Sequence, residues 1–408
     1  MASIEVETTV KVPLWVSALA GTLLVQTACA FASISVPILG PPLMERAGLP
    51  PESIGLVAAL SSAGICWFLA SGGPMLGRFG PIRTLQIGMV CMALGLLALS
   101  LPLGFLGMLG ALAIGFGNGP NTPAGSQILI RSAPPRHRTL IFSIKQAGVP
   151  LGGALAGLLS APFVVAYGVV PTLGLLILVL LACCLIVQPL RTTLEEERVE
   201  GSAKWARALF QPTEAIRCVT SLRSHPALPM LTAVGASYSL VQACLTSFTA
   251  TFVYTRHGVS LTEAGQVVAV MLCASMCGRV ILGWLADRIG SALRHLGVQA
   301  IISALSVVLL VGAGHQAPWI LYLSAALVGF TAIGWNGVHI AELARVAPLH
   351  LVSSVTSASS LFGFVASVCG PLLFMAVVAG GGGYDVAFYV MSAQLACFGA
   401  VCLLARTQ

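Results

Sequence analysis

Apolar runs of about twenty residues recur along the chain, each closed by a short polar or Gly/Pro-rich interval. A helix rises 1.5 Å per residue, so about 20 apolar residues cross the roughly 30 Å hydrocarbon core of a bilayer. The pattern predicts helices over 14–38, 53–73, 84–102, 105–130, 140–165, 168–189, 227–254, 262–284, 295–314, 318–343, 353–379 and 386–405. The fold class is therefore an all-α membrane protein with twelve transmembrane helices. The longest polar interval, 190–226, contains the run Glu195-Glu-Glu-Arg198 and reads over Ala203–Phe210 as a solvated, partly helical linker. Met1–Lys11 is polar and of mixed charge, without the short apolar core and small-residue site of a cleavable leader.

Composition sharpens this. Of 408 residues 57% are hydrophobic and only 8% charged, against roughly 25% charged in a soluble domain. A soluble enzyme could not cover its surface with so little charge, and disordered chains are apolar-poor. The net charge of +7 would suit a nucleic-acid binder, so the position of each charge decides. Alternate polar intervals hold Lys11, Arg78, Arg83, Arg131, Arg136, Arg138, the six basic residues from Arg191 to Arg223, Arg288, Arg294, Arg345 and Arg406, sixteen of the 20 in all. The opposite loops hold only Arg46 and Arg256. This positive-inside bias places both termini in the cytoplasm of a multi-pass protein of the inner or plasma membrane. The bilayer and a small-molecule substrate are the expected partners, nucleic acid is not, and a monomer suffices. No Walker loop, metal cluster or nucleophile constellation stands in the chain, which implies neither an enzyme nor a cofactor. The cysteines lie mostly in apolar spans, without any Cys-x-x-Cys.

The halves repeat each other. Gly73-Pro-Met-Leu-Gly-Arg78-Phe-Gly80 recurs as Gly283-Trp-Leu-Ala-Asp287-Arg288-Ile-Gly290 at an offset of 210. Gly115-Phe116 with Arg131-Ser-Ala133-Pro134 recurs as Gly329-Phe330 with Arg345-Val-Ala347-Pro348 at an offset of 214. The expected organisation is a cytoplasmic N-terminus (1–13), a six-helix bundle (14–189), a cytoplasmic linker (190–226) and a second six-helix bundle (227–405). The motif of Gly283, Leu285, Ala286, Asp287, Arg288 and Gly290, placed between predicted helices 8 and 9, resembles that of the major facilitator superfamily, and the resemblance extends over essentially the whole chain. It implies two six-helix bundles around a central cavity that opens alternately to either side. It also implies a gating role for Gly73, Arg78, Gly80, Gly283, Asp287, Arg288 and Gly290, with glycines allowing close helix approach and Asp287 near a helix N-terminus. The first copy carries Gly77 where the family has Asp. In predicted helix 5, Gly148-Val-Pro-Leu-Gly152-Gly153 partly resembles the Gly-Pro-x-x-Gly-Gly of drug/proton antiporters. Efflux of drugs or amphipathic metabolites is thus the alternative function.

Two cations fall inside predicted spans, Lys145 and Arg279. Mid-membrane Lys or Arg costs about 2.5–3.5 kcal/mol on insertion scales, so such residues usually face a cavity. The competing readings are snorkelling of Lys145 to the headgroups and a structural ion pair for Arg279. No carboxylate lies near the middle of any predicted helix, so a cavity holding both cations should attract an anion. Monocarboxylate- and cyanate-permease-like members resemble the sequence in carrying an Arg ahead of the Gly-x-x-x-Asp motif. Nitrate-type members pair that Arg with another in helix 2, where this chain has Leu69. Gln26, Asn118, Asn121, Tyr238, Gln242, Trp335, Asn336 and His339 sit on predicted helices 1, 4, 7 and 10 and complete the candidate site, each equally readable as glue between helices. His339 could titrate near neutral pH and share protons with Glu342, or Glu342 could pair with Arg345. The expected function is secondary transport of a small organic anion such as a carboxylate, as a symporter if protons are coupled.

Overall fold

The computed structural model describes residues 13–101, 104–194, 209, 219–289, 292–313, 318–348 and 351–404, and all regular structure among them is helical. The main rods are α1 (Leu14–Ile38), α2 (Ile54–Ser71), α3 (Pro81–Ser100), α4 (Gly104–Asn118 continued by Asn121–Ser132) and α5 (Arg138–Gln146 continued to Tyr167). They are followed by α6 (Val169–Ile186), α7 (Ala227–Arg256), α8 (Leu261–Ile289) and α9 (Ala292–Gly312). The last are α10 (Pro318–Val328 continued through a π segment, Gly329–Ile333, to Asn336–Val346), α11 (Val352–Val377) and α12 (Gly383–Leu404).

Among the described residues ten stretches are long and apolar enough to cross a membrane. One of them, Ser354–Leu404, runs for 51 residues; straight, it would measure about 77 Å, over twice the hydrocarbon core. It does not run straight. Gly381 at φ 91° and Gly383 at φ 69° take the left-handed conformation that side chains resist, and α11 and α12 fold back against each other. The stretch 104–132 is interrupted by the turn at Gly119-Pro120. The terminal segment 1–12, the predicted helical linker apart from Leu209, and Gly290 lie outside the described residues, as does the side chain of Asp287.

Lipid tails are as apolar as leucine, so helices in a bilayer associate by close fit rather than by hydrophobic burial. The fit here is made at glycine. A Cβ on Gly115 of α4 would collide with the backbone of Ser61 on α2, and one on Gly329 of α10 with the backbone of Met271 on α8. Ser61 and Met271 differ by 210, Gly115 and Gly329 by 214, so the sequence repeat is also a repeat of contacts. Gly119 against Phe68 and Gly334 against Gly278 repeat it one turn further on.

A second set of crossings joins α1–α6 to α7–α12. Gly157 of α5 and Gly265 of α8 each receive the other's carbonyl. Gly55 at the start of α2 packs on the Phe248 ring and the Pro371 carbonyl, and Gly40 lies against Thr251. These crossings sit toward the end opposite the turns that carry Arg78, Arg131 and Arg345. At that basic end, a Cβ on Gly73, Gly77 or Gly283 would meet nothing within 4 Å among the described residues. The close approach expected of Gly73 and Gly283 is therefore not made among the described residues in this conformation. The flanks are apolar and exposed, with Leu97 on α3, Phe105 on α4 and Leu178 and Leu185 on α6 turned outward, as a lipid-facing surface requires.

Gly115→Ala and Gly329→Ala should each destabilise the fold by about 1–3 kcal/mol, since backbone must shift to admit the methyl group. Gly77→Ala, whose methyl group meets open space, should be neutral or slightly stabilising. Thermal unfolding of the purified variants in detergent checks the contrast.

Candidate functional site

The polar residues of the interior form two groups. The first is built by α1, α4 and α5 around Lys145. Asn121 and Gly125 share one face of α4 at a spacing of four. Gly125 makes the room: a Cβ there would lie 2.8 Å from Lys145 Cε. Lys145 lies in this slot with its side chain 1% exposed and does not snorkel. Its Nζ donates to the Asn121 carbonyl at 3.0 Å and approaches Gln146 Oε1 at 3.5 Å. Gln146 Oε1 also accepts from Gln26 Nε2 on α1 at 3.1 Å. Asn121 in turn donates its amide to Asn118 Oδ1 at 2.8 Å. Gln26, Asn118, Asn121 and Lys145 are thus brought together, joined by Gln146.

Every partner of the Lys145 ammonium is neutral. Moving an ammonium out of water costs several kcal/mol even after relaxation, and an opposite charge is the ordinary compensation. Among the described residues no carboxylate supplies it.

The second group lies between α7 and α10, where α10 turns at Gly334-Trp335. Gln242 Oε1 accepts from the Trp335 indole N–H at 2.9 Å and from Asn336 Nδ2 at 3.2 Å. Tyr238, expected to help complete the candidate site, is directed away from Gln242. It is fully buried, its ring is stacked on Trp335 with centroids 5.1 Å apart, and its hydroxyl donates to the Leu296 carbonyl of α9 at 2.9 Å. It faces the packing between α7 and α9 because that carbonyl is the acceptor within reach. His339 is also turned into packing, with Nε2 2.9 Å from the Leu231 carbonyl and its ring against Gly235. Glu342 makes a two-pronged pair with Arg345 at 2.6 and 2.7 Å. His339 and Glu342 point to different partners, so this conformation does not join them as a proton-sharing pair.

Arg279 projects from α8 where that helix passes α10, its carbonyl 3.6 Å from the Cβ position of Gly337. Its Nε is buried and has no hydrogen-bond partner. The structural ion pair that competed with a cavity-facing Arg279 is not made among the described residues. At the basic end, Arg288 lies over its own helix neighbour Trp284 at 4.0 Å, and Arg78 is exposed. Gly80, with φ 80°, turns the chain into α3. At the opposite end Arg256 pairs with Asp385 at 3.1 Å.

The residue that sequence reasoning missed is Gln146. Its signal was available: it adjoins Lys145, and a buried cation requires acceptors from its own surroundings.

A family model for the Major Facilitator Superfamily matches residues 22–371. An uncharacterized MFS-type transporter of Mycobacterium tuberculosis (strain CDC 1551 / Oshkosh) is 24% identical over 358 residues, covering 86% of this chain and 77% of the relative. A hexuronate transporter of Bacillus subtilis (strain 168) is 29% identical over 131 residues, covering 32% of this chain and 31% of its own. Among solved structures, a peptide transporter POT in complex with sulfate superposes with a TM-score of 0.77 at 16% identity, over 95% of this chain and 94% of that one. A bacterial homolog of the human lysosomal transporter Spinster gives 0.75 at 16% identity, over 96% and 97%.

Replacing Gln242 by Leu leaves the Trp335 indole and the Asn336 amide without their shared acceptor. The expected loss is about 1–3 kcal/mol, read as a lower thermal unfolding midpoint for Gln242→Leu than for Thr246→Val, because Thr246 bonds only to carbonyls of its own helix.

Proposed function

Because the chain belongs to the Major Facilitator Superfamily, we propose that it is a secondary active transporter that moves a small organic anion across the inner or plasma membrane by alternating access. In this reading twelve helices cross the bilayer, with both termini in the cytoplasm. Residues 14–189 and 227–405 form two six-helix halves that rock about a central site, joined by the cytoplasmic segment 190–226, and the working unit is a monomer. The basic end is then the cytoplasmic one, and the conformation described is inward-facing, with the outer end closed by the glycine crossings. Gly73, Arg78, Gly80, Gly283, Asp287, Arg288 and Gly290 act when the inner end closes.

The observation that carries the anion reading is the Lys145 ammonium, sealed among neutral acceptors while Arg279 keeps a buried N–H unpaired. A carboxylate entering between the halves supplies the charge-assisted partner that both cations lack. The partial likeness to a hexuronate transporter, whose name denotes a sugar carboxylate, points the same way.

In this reading a proton is the companion of the anion, because a carboxylate that travels with a proton crosses the membrane without moving net charge. Among the described residues the groups that bond the Lys145 ammonium, the Asn121 carbonyl and Gln146 Oε1, are neutral.

In reconstituted vesicles, Lys145→Gln and Arg279→Gln should each weaken carboxylate binding by about tenfold or more, the cost of losing a charge-assisted hydrogen bond; wild-type affinity in both would remove the basis of the assignment. An inward proton gradient should accelerate uptake of labelled carboxylate.

A further inference from the structure

Gln26 carries an acceptor that no group among the described residues uses, and the surrounding hydrogen bonds fix its orientation. The Lys145 ammonium can only donate, so the Gln146 atom that faces it at 3.5 Å is the amide oxygen. The same oxygen takes the Gln26 N–H. Turning Gln26 over would set two oxygens against each other, and turning Gln146 over would set an N–H₂ against the ammonium. The lysine charge therefore orients both amides. What remains is Gln26 Oε1, buried and without a donor, on a side chain 4% exposed. Lys145 has three N–H bonds and, among the described residues, two acceptors, so it keeps one donor to spare. A spare donor on a cation and a spare acceptor on a neutral amide lie on either side of Gln146 Oε1. Gln146 itself is half-buried and forms the partly open side of the cluster.

We propose that the substrate is a 2-hydroxycarboxylate and that Gln26 is its specificity-determining residue. The proposal rests on the anion reading above and extends it. One carboxylate oxygen takes the spare N–H of Lys145, and the adjacent hydroxyl donates to Gln26 Oε1. Gln146 is a positioning residue that holds the two contacts in register. An unsubstituted carboxylate leaves the acceptor unpaired, and a site built to bond a hydroxyl rejects the analogue that lacks it. A 2-amino acid also has a donor at this position, but its ammonium would stand beside that of Lys145, and like charges at this range repel.

The test is thermal stabilisation of the purified protein by matched acids, which yields an affinity for each. Lactate is compared with propionate and alanine, and malate with succinate. In the wild type the hydroxy acid should bind at least about tenfold more tightly than its deoxy partner and than alanine. Gln26→Met should erase that ratio by weakening lactate while leaving propionate unchanged. Gln146→Met, which frees the Gln26 amide to turn over, should erase it too. Equal affinities in the wild type, or tighter binding of alanine, overturn the hydroxyl assignment while leaving the anion reading standing. An equal loss for lactate and propionate in Gln26→Met makes Gln26 a packing residue and overturns its role. Binding of none of the acids overturns the anion reading along with this one. The wild-type ratios need no variant, so they decide even if a substitution prevents folding.

Discussion

Close approach of backbone to backbone at glycine is the interaction on which the rest of this structure depends. In a bilayer, two leucine-faced helices gain little by touching, because lipid would cover them as well. Gly115 on Ser61 and Gly329 on Met271 bring α2 to α4 and α8 to α10 closely enough for carbonyls and Cα atoms to make the contact. The polar residues of α4 and α10 are then held at fixed depth, next to the turns at Gly119-Pro120 and Gly334-Trp335. Lys145 reaches the Asn121 carbonyl only because α5 runs close beside α4 at Gly125, another glycine.

Much of the architecture was legible in the chain. Runs of apolar residues bounded by polar turns have one reading in lipid, and most predicted boundaries fall within a few residues of the helices. The internal repeat was visible at Gly115-Phe116 and Gly329-Phe330 because the contact it encodes is between backbones, which demands glycine in both copies. The composite nature of α10 was less visible. A π segment costs no special residue, so Gly329–Ile333 looks like ordinary helix.

The candidate site divides along the same line. Burial of Lys145 beside Asn121, Asn118 and Gln26 follows from which helices meet, and helix identity can be read from the repeat. The direction of a side chain around its helix cannot be read from spacing four alone. Tyr238 and Gln242 share a face by spacing, yet the tyrosine reaches α9 and the glutamine reaches α10, because each takes the nearest complementary group. Glu342 could bond forward or back along its helix, and the guanidinium of Arg345 gave it the stronger, two-pronged partner.

The two ends of the molecule are held by different forces. Where Gly157 meets Gly265, contact is made by atoms that carry no charge and have no rotamers to lose. Where Arg78, Arg131, Arg288 and Arg345 face water, any closure must bring guanidinium groups and their partners together through electrolyte. Ions screen the second kind of contact within about 10 Å at 0.1 M and leave the first untouched. Ionic strength therefore acts on contacts at the basic end and not on those at the glycine end. In the rocking cycle proposed above this gives salt a direction: it would shift occupancy between the two faces of the membrane without loosening the body that moves.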